Sequence, residues 1–208
     1  MKTVLCFGDS NTWGYVPGSD GERFPPDVRW PRRLAHALGD DWEVIAEGLN
    51  GRTATMDSPV ADGRNGLTYL LPCLHSHMPI DLVVIYLGTN DAGDRYSLPA
   101  EVVALAIGRL VRVVRTSEAG PGYSAPEVLV VCPPPFGRLD PEGSFASAGE
   151  KSKQLGRWFA EVCDQLGCEL IDLNGIAAYS DLDGIHLDAD GQAAVAAAVA
   201  ERVQRMSV

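Results

Sequence analysis

The chain has 208 residues, 46% of them hydrophobic and 22% charged, and a formal net charge of −11. This length and balance predict one soluble domain, 1–208, with a substantial core. Nucleic acid and anionic membrane surfaces are disfavoured as partners, because both reward clustered positive charge, and the acidic balance leans toward neutral substrates.

Five runs rich in β-branched and apolar residues read as strands: 2–7 (KTVLCF), 42–46 (WEVIA), 82–87 (LVVIYL), 127–132 (EVLVVC) and 168–173 (CELIDL). Helical spacing lies between and after them. Segment 28–39 has Pro31 near its start and Gly39 at its end. Segment 99–116 sets Val102, Val103, Leu105, Ala106, Leu110 and Val113 along one side, and 189–206 is Ala-rich with Val195, Val199 and Val203 four residues apart. Strands alternating with helices predict an α/β fold, a three-layer, doubly wound, five-stranded parallel sheet in the flavodoxin-like order 2-1-3-4-5. The long Gly- and Pro-rich connections 11–27 and 133–148 are expected to be functional loops.

Five cysteines, Cys6, Cys73, Cys132, Cys163 and Cys168, form no CxxC pair, and their number is odd. They read as reduced, largely buried thiols rather than a disulfide framework. No apolar run approaches the roughly 20 residues that cross a bilayer, and Met1 leads into strand-like sequence without a secretory h-region. A cytoplasmic protein is expected.

In an open α/β sheet, ligands sit beyond the carboxyl ends of the strands at the switch in strand order. The switch falls between strands 1 and 3, which end on Gly8-Asp9-Ser10 and on Gly88-Thr89-Asn90-Asp91. A serine nucleophile needs a base, a group to orient it, and donors for the oxyanion. Of the four histidines, His186 in "SDLDGIHLD" lies where a strand-5 loop reaches the same edge. Asp183 precedes it by three residues, and Gly184 between them permits a tight turn, so the carboxylate can reach one imidazole nitrogen while the other faces Ser10. Candidate oxyanion donors are the carboxamide of Asn90 and the backbone N–H groups of Gly51 and Ser10.

Four blocks in order, "FGDSNT", "GLNGRT", "LGTND" and "DGIH", resemble those of the SGNH (GDSL-type) hydrolases, with the namesake residues at Ser10, Gly51, Asn90 and His186. The chain is most similar to the small bacterial oligomeric arylesterases that also act as acyltransferases and perhydrolases. The resemblance implies hydrolysis of short-chain aryl or alkyl esters through an acyl-serine, with no cofactor or metal. Water, an alcohol or peroxide would be the acyl acceptor. It further implies a homo-oligomer, dimer to octamer, whose neighbouring subunits narrow the entrance. Asn11, where the family's name suggests Leu, is expected to point away from the carbonyl and take no part in the chemistry.

Other residues have plainer readings. Asp9 is expected to pin its turn through backbone N–H groups, and Asp91 to act as a structural cap. His75 and His77 form an HxH pair that reads as a solvated helix end, since no cluster of further ligands is visible in the sequence. Trp13, Tyr15 and Phe136 lie on loops flanking the site and are expected to wall a substrate pocket. Two rivals remain. One is a carbohydrate acetylesterase, thioesterase or lysophospholipase on the same four blocks. The other is a flavodoxin-like nucleotide- or flavin-binding module, although neither GxGxxG nor GxxxxGK[ST] occurs.

Overall fold

The computed structural model describes residues 1–206. The strands are β1 (Lys2–Gly8), β2 (Trp42–Gly48), β3 (Leu82–Tyr86), β4 (Glu127–Cys132) and β5 (Glu169–Asp172). They form one parallel sheet in the order β2-β1-β3-β4-β5, as expected. Helices α1 (Ser10–Trp13), α2 (Trp30–Leu38), α3 (Gly66–His77), α4 (Ala100–Arg115), α5 (Gly149–Ser152), α6 (Leu155–Leu166) and α7 (Ala189–Arg205) complete the chain. They cover both sides of the sheet. The central strands β1 and β3 run Val4–Phe7 and Leu82–Tyr86 with no exposure. Such strands read as continuous apolar runs because helices cover both faces. Each aliphatic side chain buried there contributes about 1.5–3 kcal/mol.

The expected elements need small corrections. β2 continues to Glu47 and Gly48, which pair with Phe7 and Gly8 and carry β1 and β2 to the same edge. Helices α3 and α6 complete the βα alternation; the sequence pattern of α3 is obscured by its glycine start and by Pro72 inside it. The apolar stripe of α4 is Val103, Ile107, Leu110, Val111 and Val114, whereas Val102 and Leu105 are exposed. Those two side chains fall off the i, i+4, i+7, i+8 face that meets the core. In α7, Val195, Val199 and Val203 are buried, on a helix that packs against α2. Four cysteines are buried, Cys168 is half-buried, and all five are free thiols.

Candidate active site

β1 ends where the backbone turns into α1, and the turn is built by Asp9. Its Oδ1 accepts from Asn11 N at 2.9 Å, and its carbonyl accepts from Thr12 N and Trp13 N at 3.1 and 2.9 Å. These bonds satisfy N–H groups that a helix start leaves open. Asp9 is fully buried, which raises its carboxyl to about 6 against the pull of the Asn11 N–H and of His186. Ser10, 5% exposed, opens α1 with its hydroxyl toward His186: the Oγ lies 3.0 Å from Nε2.

The other imidazole nitrogen, Nδ1, lies 2.9 Å from Asp183 Oδ2. Asp183 also accepts three backbone N–H groups: Ile185 and His186 on Oδ1 at 3.1 and 3.0 Å, and Gly18 on Oδ2 at 3.0 Å. Burial pushes the carboxyl up, but the His186 bond and charge and these N–H donors outweigh it and hold Asp183 at about 2. A carboxylate so held fixes the tautomer that leaves Nε2 free to take a proton from Ser10.

Three further contacts hold the histidine loop. The Asn11 carboxamide donates to Ile185 O at 3.1 Å and accepts from Leu187 N at 2.9 Å, gripping both neighbours of His186. Asn11 therefore holds the His186 loop on both sides, a contact that sequence reasoning missed. Tyr15 stacks on the imidazole at 4.3 Å between ring centroids. Gly184 adopts φ +75°, and an added Cβ there would meet Arg138 O at 2.4 Å, so the turn requires glycine. Both long loops thus converge on 180–187, one through Gly18 and the other through Gly137 N, which donates to Gly184 O at 2.9 Å.

On the other side, Asn90 Nδ2 donates to Arg52 O at 3.0 Å, which joins the β3 end to the loop carrying Gly51. A carboxamide has two N–H donors, so one remains. Asp91 reinforces the joint by accepting Ala54 N on both carboxylate oxygens, at 2.9 and 3.1 Å. Burial raises its carboxyl to about 7. Arg52 ties the strand ends together: its Nη1 donates to Gly8 O at 2.9 Å and to Glu47 O. Its guanidinium lies 4.2 Å from the Phe7 ring centroid. Gly51 sits at φ +73°. Gly51 and Asn90 together line a cavity of about 140 Å³.

Neither Trp13 nor Phe136 lines that cavity, and Trp13 lies beside Tyr15, with 6.4 Å between ring centroids. Trp13 carries the Arg23 guanidinium on its ring at 4.7 Å. Phe136 is 8% exposed and packs against Phe145 and Tyr179 at 5.7 and 5.9 Å. Phe145, not Phe136, faces the cavity. The HxH pair is divided: His75 Nε2 meets Ser117 O and His77 Nε2 meets Glu47 Oε1, each at 2.9 Å. Contrary to expectation, further ligands do lie near His77. Glu47, Cys73 and His77 place one ligand atom each within 4.8 Å of one another, because the end of β2 lies beside α3. Among the described residues these three could hold a metal ion, although burial keeps the Cys73 thiol protonated, pushed up to about 12.

Solved structures with the same architecture include a carbohydrate acetylesterase from Sinorhizobium meliloti. It is 40% identical, with a TM-score of 0.94 over 99% of each chain. An aryl esterase from M. smegmatis is also 40% identical, with a TM-score of 0.93 over 99% of each chain. A putative arylesterase from Agrobacterium tumefaciens str. C58 is 38% identical, with a TM-score of 0.91 and the same coverage. A search of curated protein sequences found no match. The model of the GDSL-like lipase/acylhydrolase family matches residues 6–194, and with that span, this sheet order and these relatives, the chain belongs to that family.

Proposed function

We propose that this protein is a serine esterase that hydrolyses short-chain acyl esters through an acyl-Ser10 intermediate, as one domain spanning 1–208. The observation that carries the reading is the continuous chain of contacts Ser10 Oγ–His186–Asp183, with 3.0 and 2.9 Å links. Ser10 Oγ attacks the ester carbonyl as His186 Nε2 takes its proton, and Asp183 stabilises the resulting imidazolium. The carbonyl oxygen becomes an oxyanion, received by the Ser10 and Gly51 N–H groups and the second Nδ2 hydrogen of Asn90. Collapse expels the alkoxide, which takes the proton from His186. Water then repeats the sequence on acyl-Ser10 and releases the acid.

The relatives divide between aryl esters and acetylated carbohydrates. The aromatic stack of Tyr15 on His186 favours the aryl ester as first substrate. An alcohol or peroxide reaching acyl-Ser10 before water would make a new ester or a peracid, the acyltransferase and perhydrolase side activity of this reading. Exposed Val60 and Leu182, each 75% accessible, support a homo-oligomer. Val60 lines the cavity and Leu182 adjoins Asp183, so a neighbouring subunit would cover apolar surface at the entrance. Five free thiols support a reducing, cytoplasmic location, and no helix among the described residues is long and apolar enough to cross a membrane.

The test is turnover of 4-nitrophenyl acetate beside an acetylated sugar, by the protein and by Ser10→Ala. Removing the nucleophile should lower kcat at least about 10⁴-fold for any ester that is hydrolysed, with an unchanged circular-dichroism spectrum. Turnover by the variant close to that of the unsubstituted protein would refute the assignment.

A further inference from the structure

The cavity beside Gly51 and Asn90 carries positive charge. Arg64 and Arg95 both line it, with Tyr96 and Phe145 as aromatic walls and no acidic side chain in its lining among the described residues. On a chain of net charge −11, two cations meeting over a candidate oxyanion site need an explanation. Arg64 packs on Gly51 itself: its Cδ and Nε lie 3.7 and 3.8 Å from where a Gly51 Cβ would stand. Its backbone is fixed, since Arg64 O accepts Thr53 N at 2.9 Å and Thr53 Oγ1 at 3.2 Å. Its guanidinium makes no hydrogen bond, ion pair or ring contact among the described residues. Arg95 donates from Nη2 to a neutral partner, Ser144 Oγ, at 3.1 Å. Two nearby carboxylates are engaged elsewhere: Asp57 accepts from Asn65, and Asp94 binds Ser147 N and Oγ at 2.9 and 2.6 Å.

We propose that the cavity is an anion subsite, and that the preferred esters carry a carboxylate a few bonds from the scissile carbonyl, held by Arg64 and Arg95. The inference rests on the esterase reading and deepens it. A planar guanidinium offers paired N–H donors that match a carboxylate, and such charge-assisted bonds are about twice as strong as neutral ones. A volume of about 140 Å³ corresponds to about five water-sized groups. That accommodates a short chain ending in a carboxylate. The overall acidic charge repels anions only weakly at this range, because salt screens it beyond about 8–10 Å, whereas the arginines act at contact.

Two ester pairs, each matched in carbon framework and differing by a carboxylate in place of a methyl group, provide the test, with uncatalysed hydrolysis subtracted. On the acyl side, the mono-4-nitrophenyl ester of glutaric acid is compared with 4-nitrophenyl valerate. On the alcohol side, 4-acetoxybenzoate is compared with 4-tolyl acetate. In at least one pair the anionic ester should have a kcat/KM about tenfold or more above its neutral partner. Arg64→Gln and Arg95→Gln should each lower that ratio, Arg64→Lys should retain part of it, and added salt should reduce it. A ratio near one in both pairs, or a ratio that survives both Gln substitutions, overturns the anion subsite while leaving the esterase reading intact. If none of the four esters is turned over, the esterase reading falls and the subsite with it.

Discussion

The two flanks of Ser10 are built differently. On the histidine flank, His186 is held from every direction: Asp183 on Nδ1, Asn11 on both neighbouring residues, and Tyr15 on the ring face. Ser180 N adds a bond to the His186 carbonyl at 2.8 Å. On the donor flank, Asn90 and Asp91 anchor the base of the Gly51 loop, but the outer wall near 58–61 is secured more lightly. Val60 N there reaches only the neighbouring Ser58 Oγ, at 3.3 Å, and Arg64 offers an unengaged guanidinium. On the proposed mechanism, the half that moves the proton is the more tightly held, and the half that would meet the substrate has fewer bonds holding its outer wall. Chemistry tolerates little displacement of a base, whereas selectivity between substrates needs only a difference in binding.

The largest effect that would sharpen this contrast lies where the two flanks meet. Asn90→Ala should lower kcat about a hundredfold or more with a smaller change in KM, since on the proposed reading its second N–H receives charge that develops in the transition state. A raised KM with unchanged kcat would instead make Asn90 a substrate-binding residue.

A smaller effect tests whether the histidine flank is rigid for a reason. Asn11→Ala removes both bonds that flank His186 and should lower kcat about tenfold with KM nearly constant. It should also displace the acid limb of the pH–kcat profile, which reflects protonation of the base. Asn11→Asp, which can still accept from Leu187 N, should fall between the two. Losing the buried bonds should cost about 1–3 kcal/mol of stability in urea unfolding. A loss of stability with an unmoved kcat and pH profile would reduce Asn11 to a structural residue.

The smallest effect concerns the buried acid beneath the donor flank. Burial raises Asp91 to about 7, so the folded protein holds this proton more tightly than the unfolded chain. Stability from this group is complete below the ordinary carboxyl pKa of about 4 and is lost as pH rises through 7. A carboxamide in its place cannot titrate, so the urea midpoint of Asp91→Asn should change less than the parent's between about pH 4 and pH 8. Asp183, held at about 2, acts in the opposite sense: its contribution is present above about pH 4 and is lost as pH falls through 2, outside that window. Parallel pH dependences of the two proteins would remove Asp91 from the account.

The sheet order and the meeting of Ser10, Asp183 and His186 were legible in the sequence because both follow from local signals. Apolar runs mark the strands, polar clusters mark their ends, and a glycine between an acid and a histidine marks the turn. Asn11, Gly18 and Arg64 were not legible in the same way. Their contacts cross large sequence separations or depend on which way a loop folds, and no local pattern encodes that. The expected face of α4 failed for a related reason, since several apolar side chains could form a stripe and only packing against the core selects one. The acidic balance leans toward neutral substrates, but net charge is a sum over the surface, whereas the proposed anion subsite depends on the lining of one cavity alone.

Gly18 and Asp183, joined by one hydrogen bond, lie 165 residues apart, and Ser10 stands 176 residues before His186. During synthesis the chain therefore emerges with the proposed nucleophile, Ser10, first and the proposed base, His186, near the last. Contacts of such long range form late, because the entropy of closing the intervening loop must be offset by a sheet that already exists. A nascent chain that has folded β1 to β4 would carry Ser10 with no group to take its proton, and so would be unable to attack an ester. On the proposed mechanism, the order of residues along the polymer would act as a safety catch: reactivity would switch on only when the final loop docks between Asn11 and Gly18.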